Sequence, residues 1–171
     1  MPDIKIHNRL KPVEMSRIAL YVFIVSVIAV IVFRACTMSL TTDEAYTVNI
    51  YAVRWKNIFS PELYLPNNHV LHTVLVWIMF HAVPWEEWVI RLPAVLGGIG
   101  CLILLRKIGA FLFEKSPEKT RFRYVFTLLL TALVALHPLI FQFFSFARGY
   151  GLSLFFSLLG CYTLMQYIYV V

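Results

Sequence analysis

Apolar residues in this chain are gathered into long runs. The first run contains no charged residue from Ile18 to Phe33 and continues past Arg34 to about residue 38. A helix rises about 1.5 Å per residue and the hydrocarbon core of a bilayer is roughly 30 Å thick, so about 20 apolar residues cross it. Residues 18–38 therefore predict a transmembrane helix. Comparable runs, at 89–105, 124–147 and 149–171, predict three more, and Pro138 is expected to kink the third of the four. The pattern is typical of an all-α membrane protein.

A fifth apolar run, Val70–Val83, is too short to cross a bilayer. As a helix it would extend about 21 Å, and it contains two histidines. Tryptophans, which favour the interface between membrane and water, lie within and after it at positions 77, 85 and 88. We expect residues 69–83 to form a juxtamembrane helix at the outer face.

A second juxtamembrane helix is predicted at about residues 43–58. Thr41 and Glu44 have the spacing of a capping box, which marks the start of a helix. Apolar residues then recur at helical spacing, at Val48, Tyr51, Ala52, Trp55 and Ile58. The pattern predicts an amphipathic helix that follows the first span.

The distribution of charge predicts which segments face the cytoplasm. Residues 1–17 carry a net charge of +2 from four basic and two acidic residues, and residues 106–123 carry +4 from six basic and two acidic ones. Residues 39–88 carry −3 from two basic and five acidic residues. Short basic segments stay in the cytoplasm, so both ends of the chain and the loop 106–123 are placed there, and residues 39–88 form an outer loop. We expect a multi-pass protein of the plasma (inner) membrane.

Composition excludes several classes of protein. The chain is 60% hydrophobic and 14% charged, with a mean hydropathy of +0.76, which excludes an ordinary soluble domain. Its net charge of +6 comes largely from residues that flank apolar runs, so topology explains it and no nucleic-acid partner is expected. The three cysteines form no disulfide framework, and the histidines at 72, 81 and 137 lack the spacing of zinc ligands. We expect no cofactor and predict no metal site.

Two polar clusters of the outer loop are candidates for chemistry. Asp43, directly after the first span, is placed to take a proton from a hydroxyl group; alternatively, Asp43 and Glu44 only stabilise the positive end of the following helix. Asn68 and His69 precede the second juxtamembrane helix. Asn68 is interpreted there as the N-cap.

Arg91 and Arg148 each lie in or beside an apolar run near the outer face. An unpaired guanidinium is costly in that position, so each requires an anionic partner. A protein carboxylate and a lipid phosphate both satisfy this requirement, since the planar guanidinium binds either through two N–H groups.

Four motifs together resemble a known family. In chain order they are TTDEAYT from residue 41, NNHVLHTVL from 67, EEWVIRLPAVLGG from 86 and FSFARGYGLSLFF from 144. Their order and spacing resemble the N-terminal part of the GT-C glycosyltransferases. The similarity is to the branch that contains dolichyl-phosphate-mannose protein mannosyltransferases and bacterial aminoarabinose transferases, and it covers about residues 35–171.

The resemblance implies an inverting transfer of a sugar from a polyprenyl-phosphate donor to a hydroxyl acceptor of unknown identity. It makes Asp43 the catalytic base and Glu44 the supporting acid, with Arg91 and Arg148 on the donor phosphate. Asn68, His69 and Tyr150 are expected to line the substrate site. The later ARGYG segment offers no second acidic residue, so a divalent metal has no support.

Relatives of this kind are several times longer, so we expect this chain to be the N-terminal part of such an enzyme and inactive alone. Its expected partners are the lipid-linked donor, membrane lipids and the remaining part of the enzyme. The alternative interpretation is a noncatalytic membrane subunit or transporter fragment. In that case Asp43 caps a helix, and Arg91 and Arg148 are structural or line a path.

Overall fold

The computed structural model describes residues 11–63, 68–84, 86–114 and 119–170, and helices account for most of them. A π-helix, Thr47–Ala52, and a 3₁₀ turn, Pro61–Leu63, accompany eight α-helices in the described residues. The α-helices are α1 Pro12–Thr37, α2 Thr42–Tyr46, α3 Trp55–Ile58, α4 Val70–Ala82, α5 Glu87–Leu112, α6 Thr120–Ala135, α7 Pro138–Ser145 and α8 Tyr150–Val170. These described residues contain no strand.

Three of the helices, α1, α5 and α8, are long and apolar enough to cross a membrane. The pair α6 and α7 supplies a fourth crossing if the two are counted as one span. The expectation of an all-α, multi-pass membrane protein is confirmed. Residues 1–10, which make up most of the N-terminal segment predicted to be cytoplasmic, lie outside the described residues, as does Trp85.

Helix α5 is the centre of the bundle and packs against α1, α4, α6, α7 and α8. Every third or fourth residue of α1 faces the core, as the helical period requires, at Leu20, Ile24, Val27 and Ile31. Val95, Cys101 and Leu102 of α5 complete this core together with Phe144 of α7. Most of α8, in contrast, is exposed on its outer side.

Glycines allow α5 to approach its neighbours closely. A Cβ atom added to Gly97 would lie 3.0 Å from the backbone carbon of Gly151 in α8, and one added to Gly109 would overlap Thr127 in α6. Helices inside membranes commonly associate through such small residues, because backbone atoms then make direct contact. The start of α8 is thereby held against α5.

The predicted third span, 124–147, is not a single kinked helix. Helix α6 ends at Ala135, α7 begins at Pro138, and the two axes meet at 75°. Pro138 has no N–H to donate and disfavours a helical conformation at His137, whose ψ is 121°. Proline therefore opens a new helix here, and α7 changes direction to pack next to α1 and α5.

The basic loop predicted at 106–123 is shorter in the structure. Helix α5 continues to Leu112 and α6 begins at Thr120, so Arg106 and Arg123 are helical residues. Long basic side chains extend a span in this way, because their stems cover apolar surface while the charge reaches the interface.

The first juxtamembrane segment is not one regular helix over 43–58. Helix α2 passes into the π-helix, the chain is extended at Arg54, and α3 follows. Val48, Tyr51 and Ala52 are buried, whereas Trp55 is exposed. The second predicted helix, 69–83, is α4, which packs against the π-helix and α5 and so brings both juxtamembrane segments to the same end of the bundle.

Candidate functional site

The first feature of the site is the completely buried carboxylate of Glu44. The predicted capping box is present: the backbone N–H of Glu44 donates to Oγ1 of Thr41, and the backbone N–H of Thr41 donates to Oε2 of Glu44 at 2.9 Å. Oγ1 of Thr41 also donates to Oε2. The cap therefore aims the carboxylate inward, and the residue is 0% exposed.

Arg91 meets this carboxylate with two parallel hydrogen bonds. Its Nε donates to Oε1 of Glu44 at 2.8 Å, and its Nη2 donates to Oε2 at 2.9 Å. Backbone carbonyls at the end of α1 accept the remaining three, from Ala35, Met38 and Ser39. A guanidinium has five N–H groups, so all of them are engaged within the protein, and the side chain is 0% exposed.

A third segment joins the pair. The backbone N–H of Ala147, in the turn between α7 and α8, donates to Oε1 of Glu44 at 2.7 Å. One carboxylate thus connects the start of α2, the central helix α5 through Arg91, and the turn that carries Arg148. The position of Arg148 depends on Glu44 for this reason.

The environment of Glu44 keeps it ionised. Burial alone would raise its pKa. Hydrogen bonds from Arg91, from the N–H groups of Ala147 and Thr41, and the charge of Arg91 outweigh burial, so the pKa of Glu44 is lowered from its ordinary value. A low pKa and complete burial leave this carboxylate as a fixed anion.

Asp43, the next residue to Glu44, points in a different direction and forms an ion pair with Arg148. Their side chains are 40% and 26% exposed. With Thr47 and His69 they line a cavity of about 10 Å³, which has room for about one water molecule. The two ionic pairs therefore differ, because one is sealed and the other is accessible.

His69 and the turn after α7 pack tightly against one another. The rings of His69 and Tyr150 are 4.5 Å apart and nearly perpendicular. A Cβ atom on Gly149 would come within 2.7 Å of Cγ of His69, so a larger residue would displace the ring. Burial lowers the pKa of His69. This contact fixes the His69 side of the small cavity.

The position of Asn68 in the sequence predicts that it is the N-cap of α4, but in the structure it is not. The N-cap is His69, whose side chain makes no capping bond. The side-chain amide of Asn68 instead donates to the carbonyl of Ile58 at 2.8 Å and is buried. Because the amide is bonded to the end of α3, it cannot cap α4. Asn68 thereby links α3 to the start of α4.

His72 lies one turn into α4 and is only 2% exposed. Its Nε2 has no hydrogen-bond partner among the described residues. Burial lowers the pKa of His72 to about 3, helped by His69 and opposed by the charge of Glu44. The ring lines a second cavity of about 180 Å³, which shares His69 with the first. The spacing of histidines in the sequence does not distinguish this buried imidazole from its exposed neighbour His81.

The site residues expected from the sequence are thus divided into groups. Asp43, His69 and Arg148 line the accessible cavity, and Tyr150 packs against His69. Glu44 and Arg91 form the sealed pair, and Asn68 is buried against α3. In the part of the chain that the structure describes, no three His, Cys, Asp or Glu side chains are grouped as metal ligands would be. No protein-family model, curated protein or solved structure matches this chain.

Proposed function

We propose that this chain carries the base and the donor-phosphate site of an integral-membrane, inverting glycosyltransferase of the GT-C type. The donor is a sugar linked to polyprenyl phosphate, and the acceptor is a hydroxyl group at the outer face of the plasma (inner) membrane. The observation that carries the proposal is the ion pair between Asp43 and Arg148 at an accessible cavity. A proton acceptor and a phosphate-binding cation are the two groups that this reaction requires.

The two charges are well suited to exchange partners. The pair is partly exposed, so its mutual attraction is weak, and Arg148 gains more from a phosphate that it binds through two N–H groups. When the donor phosphate binds Arg148, the carboxylate of Asp43 loses this ion pair and can accept a proton. Donor binding and activation of the base are thereby coupled in one step.

The reaction that follows is a single displacement. Asp43 accepts the proton of the acceptor hydroxyl while the oxygen of that hydroxyl forms a bond to the anomeric carbon of the sugar. The bond from that carbon to the phosphate oxygen breaks, and its electron pair stays on the polyprenyl phosphate. Arg148 stabilises the charge on this leaving group, so no general acid is needed to protonate it.

Glu44 and Arg91 serve as positioning residues in this mechanism. The sequence resemblance implies a supporting acid and a phosphate ligand, but both side chains are buried and Arg91 donates all five N–H groups inside the protein. Their role in the proposal is to hold α2 and the turn at Ala147 together. Asp43 and Arg148 are carried by these two segments.

The experiment is a transfer assay in native membranes, which supply any further chain that the enzyme needs. Polyprenyl-phosphate mannose and polyprenyl-phosphate aminoarabinose are offered as donors, and the release of polyprenyl phosphate is measured. Asp43→Asn should lower the rate by about a hundredfold or more, which is the usual contribution of a general base. Glu62→Gln, a change of an exposed acid in the same outer loop, is the matched control and should leave the rate unchanged.

A noncatalytic membrane subunit is the second candidate, and the exposure of α8 favours it. Large apolar residues on this helix face outward, among them Leu164, Tyr167 and Ile168. Such a surface fits another membrane protein as well as lipid. If membranes with the Asp43→Asn chain release polyprenyl phosphate at the wild-type rate, the subunit interpretation replaces the enzyme.

A further inference from the structure

One large cavity in the described part of the chain lies far from the site of Asp43 and Arg148. It has a volume of about 740 Å³ and lies between the ends of α5, α6 and α8. Arg106, in the wall of this cavity, lies fifteen positions after Arg91 in α5, which corresponds to a rise of about 22 Å along the helix. The two sites therefore lie toward opposite ends of the bundle.

The lining of this cavity is basic and aromatic. Among its described lining residues there are three cations, Arg106, Lys107 and Arg123, and one anion, Glu114, which gives these residues a net charge of +2. The remaining wall comes largely from Phe111 and from one face of α8, at Tyr162, Gln166 and Tyr169. This combination provides both charge for an anion and flat apolar surface for the groups attached to it.

The two arginines also line a smaller cavity of about 220 Å³ on the other side, toward α1. Arg106 donates to the hydroxyl of Tyr21 at 3.1 Å and lies over its ring, and Arg123 has the same two contacts with Tyr124. Aromatic rings hold both guanidinium groups in place at the ends of their helices. Their charges are thus fixed before any ligand arrives.

We infer that the larger cavity binds the phosphodiester headgroup of an anionic phospholipid. The positive charge of the lining indicates that the ligand is an anion. The position of the cavity at the ends of membrane-spanning helices indicates that this anion is a lipid. Exposed apolar side chains, such as those of Leu112 and Ile168, lie next to the lining residues in sequence and offer surface for the acyl chains. Basic pockets between spans at the cytoplasmic side commonly bind lipid headgroups in this way.

The inference is tested on the whole chain in detergent. Binding of phosphatidylglycerol and of phosphatidylcholine is measured by native mass spectrometry as lipid is titrated. The wild type should retain phosphatidylglycerol and not phosphatidylcholine. The double variant Arg106→Gln, Arg123→Gln should weaken phosphatidylglycerol binding by about thirtyfold, since each cation near a lipid surface contributes about a factor of five.

Two further variants separate lipid binding from damage to the fold. Glu114→Gln removes the one anion among the described lining residues and should tighten phosphatidylglycerol binding by about fivefold, an increase that misfolding does not produce. Arg54→Gln with Lys56→Gln removes two exposed charges from the opposite end and should leave binding unchanged.

Inorganic phosphate distinguishes a lipid from a soluble anion. In the lipid account it does not displace bound phosphatidylglycerol, because the acyl chains contribute to binding. Displacement by phosphate would overturn the assignment, as would equal retention of the two lipids. Unchanged binding in the Arg106→Gln, Arg123→Gln variant would place the lipid elsewhere and contradict the inference. None of these outcomes depends on glycosyl transfer.

Discussion

Glu44 and Arg91 are separated by 47 residues in the chain, yet Arg91 donates to both carboxylate oxygens of Glu44 in a fully buried pair. Because the same carboxylate accepts from Ala147, the pair joins the first juxtamembrane segment to the turn before α8. The accessible pair of Asp43 and Arg148 is built on these two segments. Its geometry is therefore a consequence of the buried pair.

Removal of one charge from the buried pair is expected to be severe. Glu44→Gln leaves the guanidinium of Arg91 without its counter-ion, and such changes typically lower the free energy of unfolding by about 3–5 kcal/mol. The measurement is denaturant unfolding in detergent, followed by circular dichroism. Glu62→Gln, at an exposed position, is the control and should change the free energy by less than about 0.5 kcal/mol. Equal effects of the two variants would refute the structural role of Glu44.

The same pair predicts a dependence on acid. The pKa of Glu44 is below its ordinary value of 4.5 in the folded protein, so its ionised form stabilises the fold at all pH values above 4.5. This contribution is lost as the pH falls below 4.5 through the folded pKa. Wild type and Glu44→Gln should therefore converge in midpoint temperature at low pH. A constant difference in midpoint temperature between wild type and Glu44→Gln down to the lowest pH would contradict this role of the Glu44 carboxylate.

His72 predicts a loss of stability in a higher range of pH. Its folded pKa of about 3 lies below the ordinary value of 6.5, so the unfolded chain binds a proton first as the pH falls. Stability should decrease below pH 6.5 by about 1.4 kcal/mol for each pH unit until the folded pKa is reached. His69, whose pKa is also lowered, acts in the same direction.

The check for His72 compares two variants in thermal unfolding across this range. His72→Gln should reduce the pH dependence, whereas His81→Gln, at an exposed position of the same helix, should retain it in full. A retained slope in the His72→Gln protein would show that the imidazole titrates normally.

Two glycines should respond to alanine with opposite signs. A methyl group on Gly97 would meet the backbone of Gly151 at 3.0 Å, and backbone cannot move aside, so Gly97→Ala should cost about 1–3 kcal/mol. Gly160 has no atom within 4 Å of the added carbon among the described residues, and Gly160→Ala should stabilise α8 by up to about 1 kcal/mol. Midpoints of thermal unfolding in detergent measure both. Stabilisation by both substitutions would disprove close packing of α5 and α8.

Much of the fold follows from patterns that are local in the sequence. Apolar runs indicate the spanning helices, and the spacing of Thr41 and Glu44 correctly indicates the start of α2. The short run at Val70–Val83 identifies α4 by its length alone. These features depend on residues that are close together in the chain, so they can be predicted from the sequence.

Features that depend on distant residues were not predictable in the same way. Glu44 binds Arg91 through packing between elements 47 residues apart in the chain, and Asn68 bonds to Ile58, ten residues before it, through a tertiary contact with α3. The π-helix at Thr47–Ala52 has no local signature in the sequence. Pro138 predicts a break, but the angle of 75° depends on how α7 packs against the other helices. Sequence alone therefore indicated the candidate residues but not their division into two pairs.

The central claim is that Arg148 exchanges Asp43 for the phosphate of a lipid-linked sugar. The most direct test is equilibrium binding of a short-chain polyprenyl phosphate to the whole chain and its variants in detergent. Arg148→Gln should weaken binding by about tenfold, whereas Asp43→Asn should strengthen it, because Arg148 then has no internal competitor. Weaker or unchanged binding in the Asp43→Asn protein, with its fold intact, would contradict the exchange.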